Sequence, residues 1–268
     1  MRTHRLSSRA LLTLGTLLGL HAFAWPLYLP NSEFFLFQAN SSRALALVIA
    51  FIAIGVVSLD ISNGALDSKN VALLGIMSAL IAALRLVGAG AIGVEPMWFL
   101  LILSSFVFGA RYGFALGVIA LGISAILTGG IGPWLPFQML AAGWIGLVGG
   151  QVGSVARNFS LLAQRIVLIS LAIFSSLTFG ILMDLQLWPW LSGTDLQLSY
   201  IAGDSILNNL HKFLIFHLAT ALSWDIPRAI TTALLVAITA KPLITSLGRA
   251  KLRLAFTSHV IEQKVTAQ

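Results

Sequence analysis

Cysteine is absent from all 268 residues, which excludes a disulfide framework, a thiolate nucleophile and any cysteine-ligated metal. Charge is scarce as well. Asp, Glu, Lys and Arg make up 9% of the chain against 58% hydrophobic residues, and mean hydropathy is +0.94, whereas a soluble domain carries about 25% charged residues. Such a chain is an integral membrane protein, whatever its length alone would suggest about soluble domains. No G-x-x-x-x-G-K-[ST] pattern occurs, so ATP is not held in the P-loop manner, and H-E-x-x-H is missing too. No Ser in a shaped turn is matched by a His or Lys base. His211 and His217 are six apart, on opposite sides of a helix, and make a poor metal pair. Asp60 and Asp67 flank one loop and fit solvated anchors better than an acid/base pair. Catalysis has little to stand on, no cofactor is implied, and the chain is not expected to be an enzyme.

What is present is a series of apolar runs, each long enough or nearly long enough to cross a ~30 Å hydrocarbon core as a helix. They cover 10–29, 44–59, 71–88, 96–110, 112–129, 134–153, 164–185 and 226–247. The first follows Arg2, Arg5 and Arg9 and contains Ala22-Phe23-Ala24, which imitates a signal peptide. The apolar run continues through Trp25 to Tyr28, so it is expected to be retained as a span. The net charge of +7 is distributed at the ends of the runs and reads as a topology signal, not a nucleic-acid surface. With the N-terminus inside, Lys69, Arg111, Arg157, Arg165, Lys241, Arg249, Lys251, Arg253 and Lys264 all fall inside. Glu33, Glu95, Asp195, Asp204 and Asp225 fall outside with Arg43, Lys212 and Arg228. The expected fold is therefore all-α, about eight transmembrane helices with both termini cytoplasmic. Between the last two runs lies a long outer segment, 186–225. It opens on Trp188-Pro189-Trp190, which suits an interfacial aromatic belt, and ends in an amphipathic helix that lies over the outer face as a lid.

The chain changes character between Thr128 and Gln151. A Gly-Gly-Ile-Gly-Pro turn ends one run sharply, and Trp134, Phe137 and Gln138 open the next with aromatic faces and an amide. Irregular backbone in a membrane is tolerated at the interface, inside protein or along a cavity, so this turn is a candidate binding surface. Arg85 sits within the third run near its outer end, either snorkelling or facing the bundle to pair with Glu95 or a ligand. Glu95 precedes Pro96 and equally suits a helix N-terminus. Asn208, Asn209, His211 and Lys212 crowd the outer helix with donors and acceptors, and Asp225 and Arg228 suggest a local ion pair. Gly75, Ala79 and Ala83 recur every four residues and give the third run one smooth face for close helix approach.

Three stretches, EPMWFLLILSSFVFGARYGFALG from Glu95, LTGGIGPWLPFQMLAAGWIGLVGG from Leu127 and NNLHKFLIFHLATALSWDIPRAITTALLV from Asn208, resemble the substrate-binding S components of energy-coupling-factor (ECF) vitamin transporters, particularly an actinobacterial type. The resemblance extends over nearly the whole chain. It implies a six-helix membrane core at 71–268, preceded by an additional hairpin at 1–70, in a bacterial plasma membrane. It further implies capture of a vitamin on the outer face, with cobalamin or a related corrinoid as the expected substrate, and association with a transmembrane T component and two ATPases. The family's Ala-x-x-x-Ala docking motif matches Ala79 and Ala83, and Gly75 extends it by one turn. Substrate-binding residues are expected among Arg85, Glu95, Trp134, Phe137, Gln138, Asn208, Asn209 and His211. The competing readings are an autonomous secondary transporter, against which the charges stand near span ends, and an intramembrane enzyme acting on a lipid or isoprenoid.

Overall fold

The computed structural model describes residues 2–28, 42–62, 68–88, 91–191 and 198–266. Glu33, Asp67 and Asp195 lie outside the described residues, as do the side chains of Arg2, Arg5, Arg9, Arg43 and Lys264. Each apolar run becomes a helix: α1 (Arg2–Tyr28), α2 (Ser42–Ser62), α3 (Ser68–Val87), α4 (Met97–Phe108), α5 (Ala110–Thr128), α6 (Leu135–Ala156), α7 (Leu161–Leu187) and α9 (Leu222–Thr266). The outer segment supplies a 3-10 turn at Trp188–Trp190 and α8 (Ile206–Thr220). The described residues contain no strand, so the chain is all-α. Among the described residues, five helices, at 68–87, 110–128, 135–156, 161–190 and 222–253, are long and apolar enough to cross a membrane.

α4 is the exception among the core helices. Its 12 residues rise only about 18 Å, well short of a bilayer core, and nine of them are buried. It runs up to Gly109, where the chain turns directly into α5. At the other end of α5, Gly129 takes φ 66° and its N–H returns to the Ala125 carbonyl, a left-handed cap that glycine accepts without a Cβ penalty. Pro136 then stands in the first turn of α6, where its missing N–H costs nothing. The sharp break expected from the Gly-Gly-Ile-Gly-Pro sequence is thus a cap and a restart.

Close backbone approach holds α4, α5 and α6 together. A Cβ added at Gly146 would lie 2.0 Å from the Gly113 carbonyl oxygen, and one at Gly153 would lie 2.0 Å from that of Phe106. Glycine at these points lets helices meet backbone to backbone, the packing that apolar surroundings reward. α1 and α2 share the same core: Phe23, Trp25, Ile49 and Ala53 are buried, and the Phe23 ring meets that of Phe137 edge-on at 5.1 Å. Asp60, expected as a solvated anchor, is instead buried and faces Arg111 at 3.4 Å, because α2 packs against the start of α5. Trp188 also departs from expectation. It is fully buried between Tyr200 and Phe213 and donates its indole N–H to the Leu198 carbonyl at 2.7 Å, so it anchors the outer segment onto α8 instead of joining an interfacial belt.

The short connections make successive core helices antiparallel, and charge sorts to the two ends of the bundle. One end carries Lys69, Arg111, Arg157 and Arg165 at or beside helix termini and Arg249, Lys251 and Arg253 within α9, with Asp60 facing Arg111 and Lys251 donating to the Val107 carbonyl at the end of α4 (2.6 Å). The other carries Glu95, Asp184, Asp204 and Asp225 together with Arg85, Lys212 and Arg228, so its basic residues are fewer and largely matched by carboxylates.

Candidate functional site

Two groups of polar side chains assemble at the acidic end. The first lies where α3, α5 and α6 meet. Arg85, two residues before the end of α3, donates to the Ser124 hydroxyl at 2.7 Å and to the Gln138 side-chain oxygen at 3.3 Å. Trp134 precedes Gln138 by one helical turn and is 45% exposed, so a flat aromatic face, a guanidinium and an amide share one corner of the bundle. Of the two sequence-level options for Arg85, the structure has it facing the bundle; among the described residues its side-chain hydrogen bonds go to Ser124 and Gln138, while Glu95 acts on it through charge alone. Phe137 is not part of this corner. It points about 100° round α6 from Gln138, is 2% exposed and lies beneath Phe23, because α1 occupies that flank.

The second group is an ionic network beneath α8. Arg228 on α9 donates to Asp225 at 2.6 Å, to Glu95 at 2.9 Å and to the Ser176 carbonyl of α7 at 3.3 Å, and its guanidinium lies 5.1 Å from the centre of the Phe179 ring. Glu95 is shared with the Trp98 indole N–H at 2.5 Å. His217, in the last turn of α8, meets Asp184 of α7 at 2.8 Å and stands 4.0 Å from Asp225. Asp225 and Arg228 are buried at 1% and 5% exposure, a placement that only mutual pairing makes tolerable in a low-dielectric interior. Gly180 makes the room, since a Cβ there would meet the Asp225 carboxylate at 1.9 Å. One oxygen of Asp225, Oδ2, is buried without a hydrogen-bond partner among the described residues.

No family model, no curated protein and no solved structure matches the chain.

The remaining candidates on α8 serve the lid itself. Asn209 is fully buried and grips the Ile201 backbone twice, accepting from its N–H at 3.2 Å and donating to its carbonyl at 2.9 Å. Asn208 donates to Asp204 at 2.9 Å, and Lys212 does so at 2.6 Å. Those bonds, Lys212 first, hold the Asp204 carboxyl below the usual range, at about 2. A carboxylate whose folded value is depressed contributes fully above the ordinary aspartate range and fades only as pH falls towards that folded value. The α8 tie is thus intact throughout the neutral range. His211 is exposed on the outer surface of α8. Sequence reasoning reached the Asp225–Arg228 pair but missed Ser124, and missed His217 and Asp184 as partners. The available signal was an Asp at the end of an otherwise apolar helix and a His in the last turn of an amphipathic one. Among the described residues, no three His, Cys, Asp or Glu side chains group as metal ligands.

Proposed function

We propose that this chain is the substrate-binding subunit of an ECF-type importer, taking up a vitamin from the outer face and relying on a separate T component and two ATPases for energy. The carrying observation is the outward face of α3: Gly75, Ala79 and Ala83 are all exposed, and nothing lies within 4 Å of a Cβ added at Gly75. The opposite face, with Leu74, Met77, Ser78, Ile81 and Ala82, is buried in the bundle. Small residues spaced by four and left open on a membrane helix suit close approach by another helix, which fits the T-component docking that the sequence resemblance implies. The six helices from α3 onward would then be the binding core, and α1–α2 an additional hairpin packed on it.

The acidic end faces outward by the positive-inside rule, which places the Arg85, Ser124, Gln138 and Trp134 corner on the substrate side and both termini in the cytoplasm of a bacterial cell. A corrinoid offers a flat macrocycle and a rim of amides. Trp134 would stack on the former, and Arg85 with Gln138 would hydrogen-bond the latter. α8 and the outer segment close over that end as the lid.

One observation favours a second reading. Three buried or half-buried carboxylates, one Arg and one His at a helix junction are the groups a proton-coupled secondary transporter employs. Uptake of labelled cobalamin separates the two. In a vitamin-requiring host, a binding subunit supports uptake when the T component and ATPases are co-expressed and none when the chain is expressed alone. Uptake by the chain alone, abolished by a protonophore, would transfer the function to the second class.

A further inference from the structure

α8 is lightly held for a helix that covers the outer end. Of its 15 residues only Asn209 and Phe213 are buried, and so sparsely packed an element opens more readily than the core beneath it. It joins α9 through the single residue Ala221, which supplies a pivot. One helical turn before that pivot stands His217, stacked on Phe213 and reaching both helices below. Its Nδ1 meets Asp184 of α7 at 2.8 Å, and its Nε2 faces Oδ2 of Asp225 on α9 at 4.0 Å. That oxygen is buried with no hydrogen-bond partner among the described residues, a costly state for a carboxylate. The protonation of His217 decides how costly. With Nδ1–H given to Asp184, a neutral ring turns the lone pair of Nε2 on Asp225, whereas an imidazolium turns an N–H on it.

Charge points the same way. Glu95, Asp184 and Asp225, when ionised, face one guanidinium, that of Arg228, and a cation on His217 offsets a second of the three. Elsewhere around α8, the outer end of α1 brings His21 and Tyr28, which bond each other, and Lys212 holds Asp204 at about 2. We propose that His217 is a pH-operated clasp: as an imidazolium bridging Asp184 and Asp225 it holds α8 down on α7 and α9, and on losing its proton it releases α8 to swing about Ala221. The closed arrangement, with two carboxylates at the ring, binds the proton more tightly than the open one. Closure is therefore favoured at low pH and fades as pH rises through the imidazole range, about 5 to 8. Leu207 lies about 15 Å along the helix from His217, so release at the clasp becomes a large movement at the tip. The clasp belongs to the isolated chain and does not depend on which ligand α8 covers.

The chain contains no cysteine, so two introduced ones can carry spin labels: Leu207→Cys at the tip of α8 and Ile131→Cys in the turn before α6, both exposed. Pulsed electron paramagnetic resonance on the purified full chain in detergent reads the distance between them. A closed population is expected to dominate at about pH 5.5 and an open one to grow by about pH 8.5, the open-to-closed ratio rising about tenfold as the proton leaves. His217→Gln keeps an amide for Asp184 but cannot carry the charge, and should show the open population at both pH values. Asp225→Asn should do the reverse, because its amide N–H replaces Oδ2 opposite a neutral Nε2 and closes α8 at both. Contacts that merely pack α8 in place would loosen in both variants. His21→Gln and His211→Gln should keep the wild-type response. A wild-type distance distribution indifferent to pH would overturn the proposal. So would a pH response that survives His217→Gln or disappears in His21→Gln or His211→Gln, or an Asp225→Asn protein that is open.

Discussion

Replacing Arg228 by Met is expected to lower the stability of the purified protein by about 3–5 kcal/mol, because it strips the cation from buried carboxylates while leaving them in place. Arg228 touches Glu95, Asp225 and the α7 backbone together, so its loss loosens the junction of the α4 entry, α7 and α9. Thermal unfolding in detergent reads the effect. Arg228→Lys should fall between, since a point charge cannot reproduce the two-sided fork. Asp225→Asn combined with Arg228→Met should recover part of the loss by removing the stranded charge. A melting temperature unchanged in Arg228→Met would mean that water, not Arg228, satisfies these carboxylates.

The second large effect is expected at a surface whose alteration leaves the isolated chain intact. Ala79→Leu with Ala83→Leu places two bulky side chains on the exposed face of α3, away from its buried residues Leu74, Met77, Ser78, Ile81 and Ala82. Binding to a T component should weaken by at least about tenfold, equivalent to about 1.4 kcal/mol, while the melting temperature of the isolated chain stays the same. Co-purification of tagged T component from membranes containing both proteins measures the first, and a thermal scan the second. Full co-purification with the doubly substituted chain would remove α3 as the docking face. A matching fall in melting temperature would show that the face packs within the chain after all.

The helices were legible because apolar runs interrupted by Gly, Pro and isolated charges leave few alternatives in a membrane, where backbone groups must be satisfied within the segment. The Gly129 cap and the Pro136 restart of α6 followed from residue chemistry alone. α8 was legible as a helix because its apolar residues fall on a stripe broken by Asn208, Asn209 and Lys212. Tertiary pairing was another matter. Glu95 and Arg228 are 133 residues apart, and nothing local indicates that Arg228 would bridge Glu95 as well as its neighbour Asp225, or that Arg85 would choose Ser124 and Gln138. Phe137 illustrates the same limit from the apolar side: an aromatic at the opening of α6 suits a ligand or a helix equally well, and only the path of α1 places Phe23 against it. Asn209 resembled a ligand donor by composition, yet its amide has the reach and both functions needed to clamp the Ile201 backbone.

A binding subunit must hold its vitamin without help from the energising partners, so the most direct measurement is mass spectrometry of the small molecule retained by the chain purified from its native membranes, followed by titration of that molecule onto the emptied protein. The expected result is a corrinoid bound with sub-micromolar affinity, of the order of −8 kcal/mol or stronger, weakened at least tenfold in Arg85→Met and in Gln138→Ala and unchanged in His211→Ala. A protein that carries no small molecule and binds none across a panel of vitamins would contradict the assignment.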